Sequence, residues 1–490
     1  MSMKAFVSIH WQYMTPEFII AGTILLLAVL DLFIRRKNWL IWIGLAGTAA
    51  AAVSLAILFG AKSVSILYDT FVLDEFAKMF KLILLSGTFL VLIMLFQERE
   101  KDIQAKGEYI YLLLTALLGG MMVSSSRDLI TLFAGLELLS IASYILAGMK
   151  KKNLKSNEAA MKYLINGGIA SAITLFGMSY LYGLTGTTSL TEMFQVLKTL
   201  ENPQMLYLIG ISFFLLFTGL AFKIASVPFH MWAPDVYEGA PVPAAAFFST
   251  VSKTAGFILI LRIFLTVYTF LPQGKEVPYL LSMQGILSAV AAAAMIIGNV
   301  TALKQKNVKR MLAYSSIAHA GYVLTAFVSF SHHFYFESIW FYLLSYLFMN
   351  VGAFCILHIV EKNSGDLSLS SFSGLYRRSP AAAVCMALFL LSLAGIPGTA
   401  GFIAKLGILM SAFSSDVPMI MLASIMVAAT VISYVYYFGV FTQMFFKPSG
   451  ENRMVKIGAS SMTVLVLCGV LVIVLGLFPN AGLSLFYLIK

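Results

Sequence analysis

Charge is what this sequence has least of. Only 11% of its 490 residues are Asp, Glu, Lys or Arg, against 60% hydrophobic residues and a mean hydropathy of +0.89. A soluble chain of this length could not hide so much apolar surface, so a water-soluble globular fold is excluded. Cysteine is nearly absent too. Cys355, Cys385 and Cys468 lie far apart within apolar runs and lack any ligand spacing, which makes them packing residues rather than a disulfide framework or a cluster site. Short alternating segments of the kind that build membrane barrels are missing. There is no strand–glycine-loop–helix unit for a dinucleotide. "GIPGTAG" is glycine-rich, but it falls inside an apolar run and lacks the Lys-Ser/Thr of a phosphate loop. With no paired haem histidines and no metal ligand set, nothing in the chain carries redox chemistry.

What the sequence does have is a succession of apolar stretches long enough to cross a bilayer. Fourteen are expected, at 17–34, 39–60, 74–96, 108–125, 128–149, 157–183, 204–229, 242–271, 279–300, 308–330, 335–360, 380–411, 417–446 and 457–480. The fold class is therefore an all-α polytopic membrane protein embedded in lipid. The N-terminal "MSMKAFVSIHWQYMTPEF" reads as the lead into the first span, not as a cleavable signal.

The net charge of +11 raises nucleic acid as a partner and fails to support it, because the basic residues occupy short loops between spans. Loops after odd-numbered spans hold 20 of them: Arg35, Arg36 and Lys37; Arg99, Lys101 and Lys106; Lys150, Lys151, Lys152 and Lys155; Lys304, Lys306, Lys309 and Arg310; Lys362, Arg377 and Arg378; Lys447, Arg453 and Lys456. The other side has six, Lys4, Lys62, Arg127, Lys198, Lys275 and Lys490. The positive-inside rule then places both termini outside the cytoplasm. The loop after the seventh span, around Tyr237, is neutral in this balance.

Seven basic residues remain within the spans: Lys78, Lys81, Lys162, Lys223, Lys253, Arg262 and Lys405. Each costs about 2.5–3.5 kcal/mol at a helix centre on insertion scales. Lys78 and Lys81 open the third span and can snorkel to the interface. Arg262 can snorkel or form a structural pair, and Lys162 stands one turn from Glu158, an i,i+4 ion pair. Lys223, Lys253 and Lys405 lie too deep for these explanations. Glu137, mid-helix in "LITLFAGLELLSIASYIL", is the obvious acidic partner. A nearby lysine would stabilise its charged form, the alternative being a neutral carboxyl bonded to a backbone carbonyl. His230 and His319 are candidate proton carriers, or simply hydrogen-bonded buried histidines. The tyrosines of "SYVYYF", Tyr434 to Phe438, read as packing or interface aromatics.

Two spans should be interrupted. Pro228 follows Lys223, and Pro397 with Gly395, Gly398 and Gly401 precedes Lys405. Each proline removes a backbone donor and clashes with the preceding turn. Non-helical backbone at membrane depth is tolerated where protein encloses it or water lines it. The two breaks lie five spans apart and so run in opposite directions, the pattern of two inverted five-helix repeats. The implied division is an N-terminal three-helix segment at 1–107, a first repeat at 108–271 broken near Pro228, an inverted second repeat at 279–446 broken near Pro397, and a C-terminal helix at 447–490.

"KIASVPFHMWAPDVYEGAPVPAAAFFSTVSKTAG", "NVTALKQKNVKRMLAYSSIAHAGY" and "LSLAGIPGTAGFIAK" resemble the antiporter-like subunits of respiratory complex I over nearly the whole chain. The opening "MTPEFIIAGTILLLAVLDLF", the linker "DVYEGAPVPAAAFFSTVSK" and a length with no room for a long lateral C-terminal helix narrow the likeness to a smaller member. An antiporter subunit of the multi-subunit Mrp type is the alternative. The resemblance implies proton translocation in a bacterial plasma membrane, beside other membrane-arm subunits of the complex. FMN, iron–sulfur clusters and quinone are expected in other subunits and no cofactor in this chain. By matched position it implies that Glu137 pairs with Lys223, that Lys253 is the central lysine and Lys405 the exit lysine, with His230 at the break and Lys162 in a second tier. His319 joins that tier as a buried histidine. A purely structural membrane-arm role is the remaining possibility.

Overall fold

The structure, a computed structural model, describes residues 10–98, 103, 105–199, 203–271, 278–329, 335–415, 419–448 and 454–485. Of the basic residues used above to assign sidedness, Lys4, Arg99, Lys101, Lys275, Arg453 and Lys490 lie outside that set.

Apolar helices make up most of the described chain. They are α1 Thr15–Phe33, α2 Asn38–Ile57, α3 Glu75–Met94, α4 Lys106–Ser125, α5 Leu129–Ala147, α6 Leu154–Thr185, the short α7 Leu190–Lys198 and α8 Pro203–Lys223. The buried helix α9 Trp232–Gly239 follows, then α10 Val242–Phe247, which passes through a π turn at Phe248–Ser252 into α11 Lys253–Val267. The second half contains α12 Gln284–Ala302, α13 Val308–Ser329, α14 Tyr335–Ser364, α15 Pro380–Ala394, α16 Ala400–Phe413, α17 Ile420–Phe446 and α18 Ala459–Leu477. A two-stranded hairpin pairs Val64–Ile66 with Phe71–Leu73. Among the described residues, thirteen helical stretches are long and apolar enough to cross a membrane, and α15 and α16 are shorter apolar pieces. The expected twelfth span, 380–411, thus consists of two half-helices. The segment around Tyr237, read from sequence as a loop, is helix α9, with Tyr237 fully buried.

The centre of the molecule is the Val242–Val267 stretch with α13 and α14, buried along nearly their whole lengths, whereas α1, α2 and α6 keep an apolar face outward. Side chains fix the helix ends. Asp74 caps α3 by accepting from the Ala77 amide, and Asp128 caps α5 by accepting from the Ile130 and Thr131 amides. Asp74 also takes a two-pronged bond from Arg262, at 2.6 Å on each oxygen, while Arg262 donates to the Ser124 carbonyl. One carboxylate thereby ties the start of α3 to the ends of α4 and α11, and Arg262 is a structural pair.

Lys81 does not snorkel, whereas Lys78 reaches towards the end of α2. Lys81 is fully buried and ion-paired with the buried Glu17 of α1. Lys78 is buried as well and donates to the Phe59 and Ala61 carbonyls at 3.2 and 2.5 Å. Packing of α1 and α2 over the start of α3 closes to Lys81 the route to the interface that sequence position alone leaves open. Breaking one side of a buried ion pair strands the other charge, at about 3–5 kcal/mol. Glu17→Ala should therefore destabilise the protein by that order in a denaturation series in mild detergent, while Glu17→Leu with Lys81→Met should recover most of the loss.

Candidate functional site

The two interrupted helices end by the same backbone device. At the end of α8 the Ala225 amide donates to the Phe222 carbonyl and the Ser226 amide reaches back to Ala221, with Ala225 left-handed at φ 55°. At the end of α15 the Gly395 amide donates to Ser392 and the Ile396 amide to Leu391, with Gly395 at φ 86°. Both are Schellman caps, in which a left-handed residue closes the last turn. Proline then follows, Pro228 in one and Pro397 in the other, so neither helix resumes on its old axis. An alanine in the left-handed region costs of order 1–2 kcal/mol, and in α8 that residue lies two positions after Lys223.

A lysine meets each break. Lys223 is the last residue of α8; its ammonium donates to Ser140 Oγ of α5 at 2.9 Å and lies 5.9 Å over the Tyr163 ring. Its stem passes close over Gly256 of α11, where an added Cβ would fall 3.3 Å from Lys223 Cγ and 2.8 Å from Ile224 Cγ2. Lys405, on α16, turns back across the second break and donates to the last carbonyls of α15, Leu393 at 3.0 Å and Ala394 at 2.9 Å. These carbonyls form the negative end of a half-helix, which favours a cation. Lys253 follows the π turn between α10 and α11, a distortion frequent at functional sites, and donates to both the carbonyl and the hydroxyl of Ser316 on α13. All three lysines are at least 95% buried, and each is held by neutral oxygens.

Glu137 is half-buried on α5 and accepts a 2.5 Å bond from Ser171 of α6. It makes no ion pair with Lys223 within 4 Å, though its charge acts on that ammonium. Ser140, one turn further along α5, takes the Lys223 ammonium instead. Lys162 is 41% exposed and bonds both Glu158 at 2.7 Å and Asp235 at 2.6 Å. Asp235 also binds Arg310, which bonds Glu238, itself paired with Lys155. Burial alone would raise the Asp235 and Glu238 carboxyls, but their basic partners more than offset it and hold both below the ordinary carboxylate range. Lys162 thus belongs to a polar rim binding α6 to α9 and α13, apart from the three buried lysines.

His230 lies just before α9, and its Nδ1 is buried without a hydrogen bond. The Tyr163, Tyr237 and Tyr346 hydroxyls and Ser226 Oγ are likewise buried and unpaired. Buried polar groups almost always find partners, often ordered water, so this concentration near Lys223 and Lys253 marks a region suited to hydration. His319, on α13, has both ring nitrogens engaged, Nδ1 with the Tyr342 hydroxyl at 2.6 Å and Nε2 with that of Tyr437 at 3.3 Å. Two tyrosines of "SYVYYF" are therefore more than packing: Tyr437 meets His319 and Ser315, and Tyr436 donates to Asn299.

Sequence reasoning missed Ser140, Ser316 and Gly256, which have no signature apart from the helix that faces them. It also placed Lys309 among loop residues. Lys309 is 2% exposed and donates to the Glu238 and Ala240 carbonyls, at the wall of a polar cavity of about 140 Å³ that Lys150, Lys155, Glu361 and Asp366 also line. Its position on α13, seven residues before Ser316, was the available signal, since i and i+7 share a helix face.

A polytopic helical bundle with half-helices and buried lysines at their ends is the architecture of antiporter-like membrane subunits. Residues 126–433 match the family model described as "NADH:quinone oxidoreductase/Mrp antiporter, TM". Over 98% of its length the chain is 52% identical to NADH-quinone oxidoreductase subunit N of Geobacillus sp. (strain WCH70), covering 99% of that protein. Its fold is similar to a chain of respiratory complex I from Thermus thermophilus, with a TM-score of 0.80, 30% identity and coverage of 96% and 98%. It also shares the fold of a chain of the Mrp complex from Dietzia sp. DQ12-45-1b, with a TM-score of 0.83 at 20% identity, covering 98% and 97%. The chain belongs to the NADH-quinone oxidoreductase subunit N group of the NADH:quinone oxidoreductase/Mrp antiporter family, and is a multi-pass bacterial membrane protein.

Gly395 gives a direct test of the second break. Its left-handed φ disfavours any side chain, and an added Cβ would fall 2.9 Å from Lys405 Cδ. Gly395→Ala should destabilise the protein by about 1–3 kcal/mol and displace Lys405 from the α15 carbonyls. A thermal melt of the purified protein checks the first effect.

Proposed function

We propose that this chain is a proton-translocating membrane-arm subunit of an NADH–quinone oxidoreductase, moving H⁺ through buried Glu, Lys and His residues and driven by quinone reduction elsewhere in the complex. The observation that carries this reading is the set of three deeply buried ammonium groups, at Lys223, Lys253 and Lys405, each held by neutral hydroxyl or carbonyl oxygens. A carboxylate partner would lock the cation in place. A hydroxyl can donate to a neutral amine as readily as it accepts from an ammonium, so Lys223 and Lys253 can lose a proton without leaving a stranded anion.

Glu137 supplies the control. While its charge is near, Coulomb attraction stabilises the Lys223 ammonium; when a neighbouring subunit draws it away, that support is lost and the proton is expelled along the chain. Lys253 and water pass it on, and Lys405 releases it outside. His230 and His319 are further carriers, and Lys162 holds the rim beside the first break. The fourteen spans comprise the N-terminal segment 1–107, the inverted repeats 108–271 and 279–446, and the closing helix 447–490. Both termini face away from the cytoplasm of a bacterial plasma membrane. FMN, iron–sulfur clusters and quinone belong to other subunits.

An Mrp-type cation–proton antiporter role is the second reading, favoured by the shared fold with the Mrp chain. It predicts Na⁺-dependent exchange, which the first does not.

The decisive measurement is proton pumping in vesicles carrying the whole complex with Lys223→Arg, alongside electron transfer and assembly. Arginine keeps the charge but cannot be deprotonated in a protein, so a relay loses pumping in an assembled complex, and a structural charge does not. Lys223→Ala should nearly abolish pumping, and Glu137→Gln should reduce it.

A further inference from the structure

The relay above gives only water and His319 between Lys253 and Lys405, with no order of transfer. Their ammonium groups are anchored on different elements, one on Ser316 of α13 and the other on the end of α15. Between them stands His319, on which the charges of both lysines act. Its two nitrogens bond hydroxyls from two further helices, Tyr342 of α14 and Tyr437 of α17, and the Tyr437 hydroxyl continues to Ser315 Oγ at 2.5 Å. All four residues are at most 3% exposed.

Resting on the proton-relay reading, we propose that Tyr437 and Tyr342 are themselves carriers, and that Ser315, Tyr437, His319 and Tyr342 form one hydrogen-bonded wire linking the Lys253 and Lys405 ends of the route. The bonding pattern is self-consistent for a neutral ring. If Nδ1–H donates to Tyr342, Nε2 accepts from the Tyr437 hydroxyl, which in turn accepts from Ser315. Transport then balances without any other reactant. His319 Nε2 takes the Tyr437 proton as Tyr437 takes one from Ser315, whose supply is the Lys253 ammonium. Nδ1 releases its proton to Tyr342, whose displaced proton goes to the Lys405 amine. Only O–H and N–H bonds form and break, one proton advances, and rotation of the hydroxyls and a tautomer change restore the starting order. Ser315 lies one residue from the Ser316 that holds Lys253, and Lys405 stands 5.0 Å over the ring of Tyr322, whose ring centre is 5.4 Å from that of His319. Neither Ser315 nor Tyr342 bonds its lysine directly, so a bridging water completes the transfer at each end of the wire.

The test uses Tyr437→Phe in the intact complex, which keeps the ring and removes the hydroxyl, with Tyr434→Phe, a half-buried tyrosine one turn back on α17, as the control. Protons pumped per electron pair are measured in vesicles, with assembly and quinone reduction recorded on the same preparation. Positioned proton-transfer groups contribute about 10²–10⁴-fold. The expected result is a loss of at least about tenfold in pumping for Tyr437→Phe, a near-wild-type ratio for Tyr434→Phe, and a changed solvent deuterium effect on what pumping remains. A purely structural role would lower assembly while leaving the proton-to-electron ratio intact. If Tyr437→Phe does not assemble, Tyr342→Phe decides the question from the other end of the wire. Wild-type pumping in either assembled variant overturns the proposal. Lys253→Arg run in parallel separates the two levels: loss there with a normal Tyr437→Phe removes only the wire, whereas normal pumping in both removes the relay as well.

Discussion

An ammonium group inside a membrane protein must be surrounded by oxygen, and the choice of oxygen decides what the group can do. Carboxylates hold one set of cations: Glu17 holds the buried Lys81, Asp74 the buried Arg262, and the buried Glu98 the half-buried Lys362. Removing a proton or a partner from such a pair leaves a buried charge uncompensated, so these pairs are fasteners. Serine hydroxyls and main-chain carbonyls hold the other set, Lys223, Lys253, Lys405 and Lys309. These ligands are neutral, and nothing is stranded when the amine is.

Breaking helices is how the fold makes some of those neutral oxygens available. A continuous helix engages its carbonyls internally and can offer a side chain only their second lone pair, as Ser316 does to Lys253. The Schellman caps after α8 and α15 satisfy two carbonyls each; past the second cap the Leu393 and Ala394 carbonyls stay free and take Lys405, and at the first Phe222 O, already bonded by the Ala225 amide, accepts Trp232 Nε1 as well. Lys223 occupies the last turn of its half-helix, where the negative end of the helix dipole favours it. The same local chemistry therefore recurs at both breaks.

The polar residues of α13 connect these features. Lys309 faces the polar cavity, Ser316 receives Lys253, and His319 reaches the tyrosines of α14 and α17. The Asp235 and Glu238 network with Lys155, Lys162 and Arg310 clamps α9 at the rim, so the segment after the first break is held from both ends. Rigid placement matters because proton transfer needs donor and acceptor held within hydrogen-bond reach, about 2.6–3.2 Å or through one water.

Much of this was legible in the chain itself. Long apolar runs dictate membrane helices whatever their neighbours, since lipid leaves backbone polar groups no other partner. Pro228 and Pro397 mark the breaks by local geometry alone, and a deep lysine is conspicuous because its cost depends on depth. Depth, however, says nothing about company. Lys81 and Lys253 look alike in sequence, yet one meets Glu17 and the other Ser316. Lys309 looks like a loop residue until α9 closes over it, and Tyr437 looks like packing until His319 stands opposite. Sequence determined where the helices run and where they fail, because those follow from each segment's own solvation and sterics. Only the tertiary structure decided which oxygen faces which nitrogen, because that depends on helices brought together from distant parts of the chain.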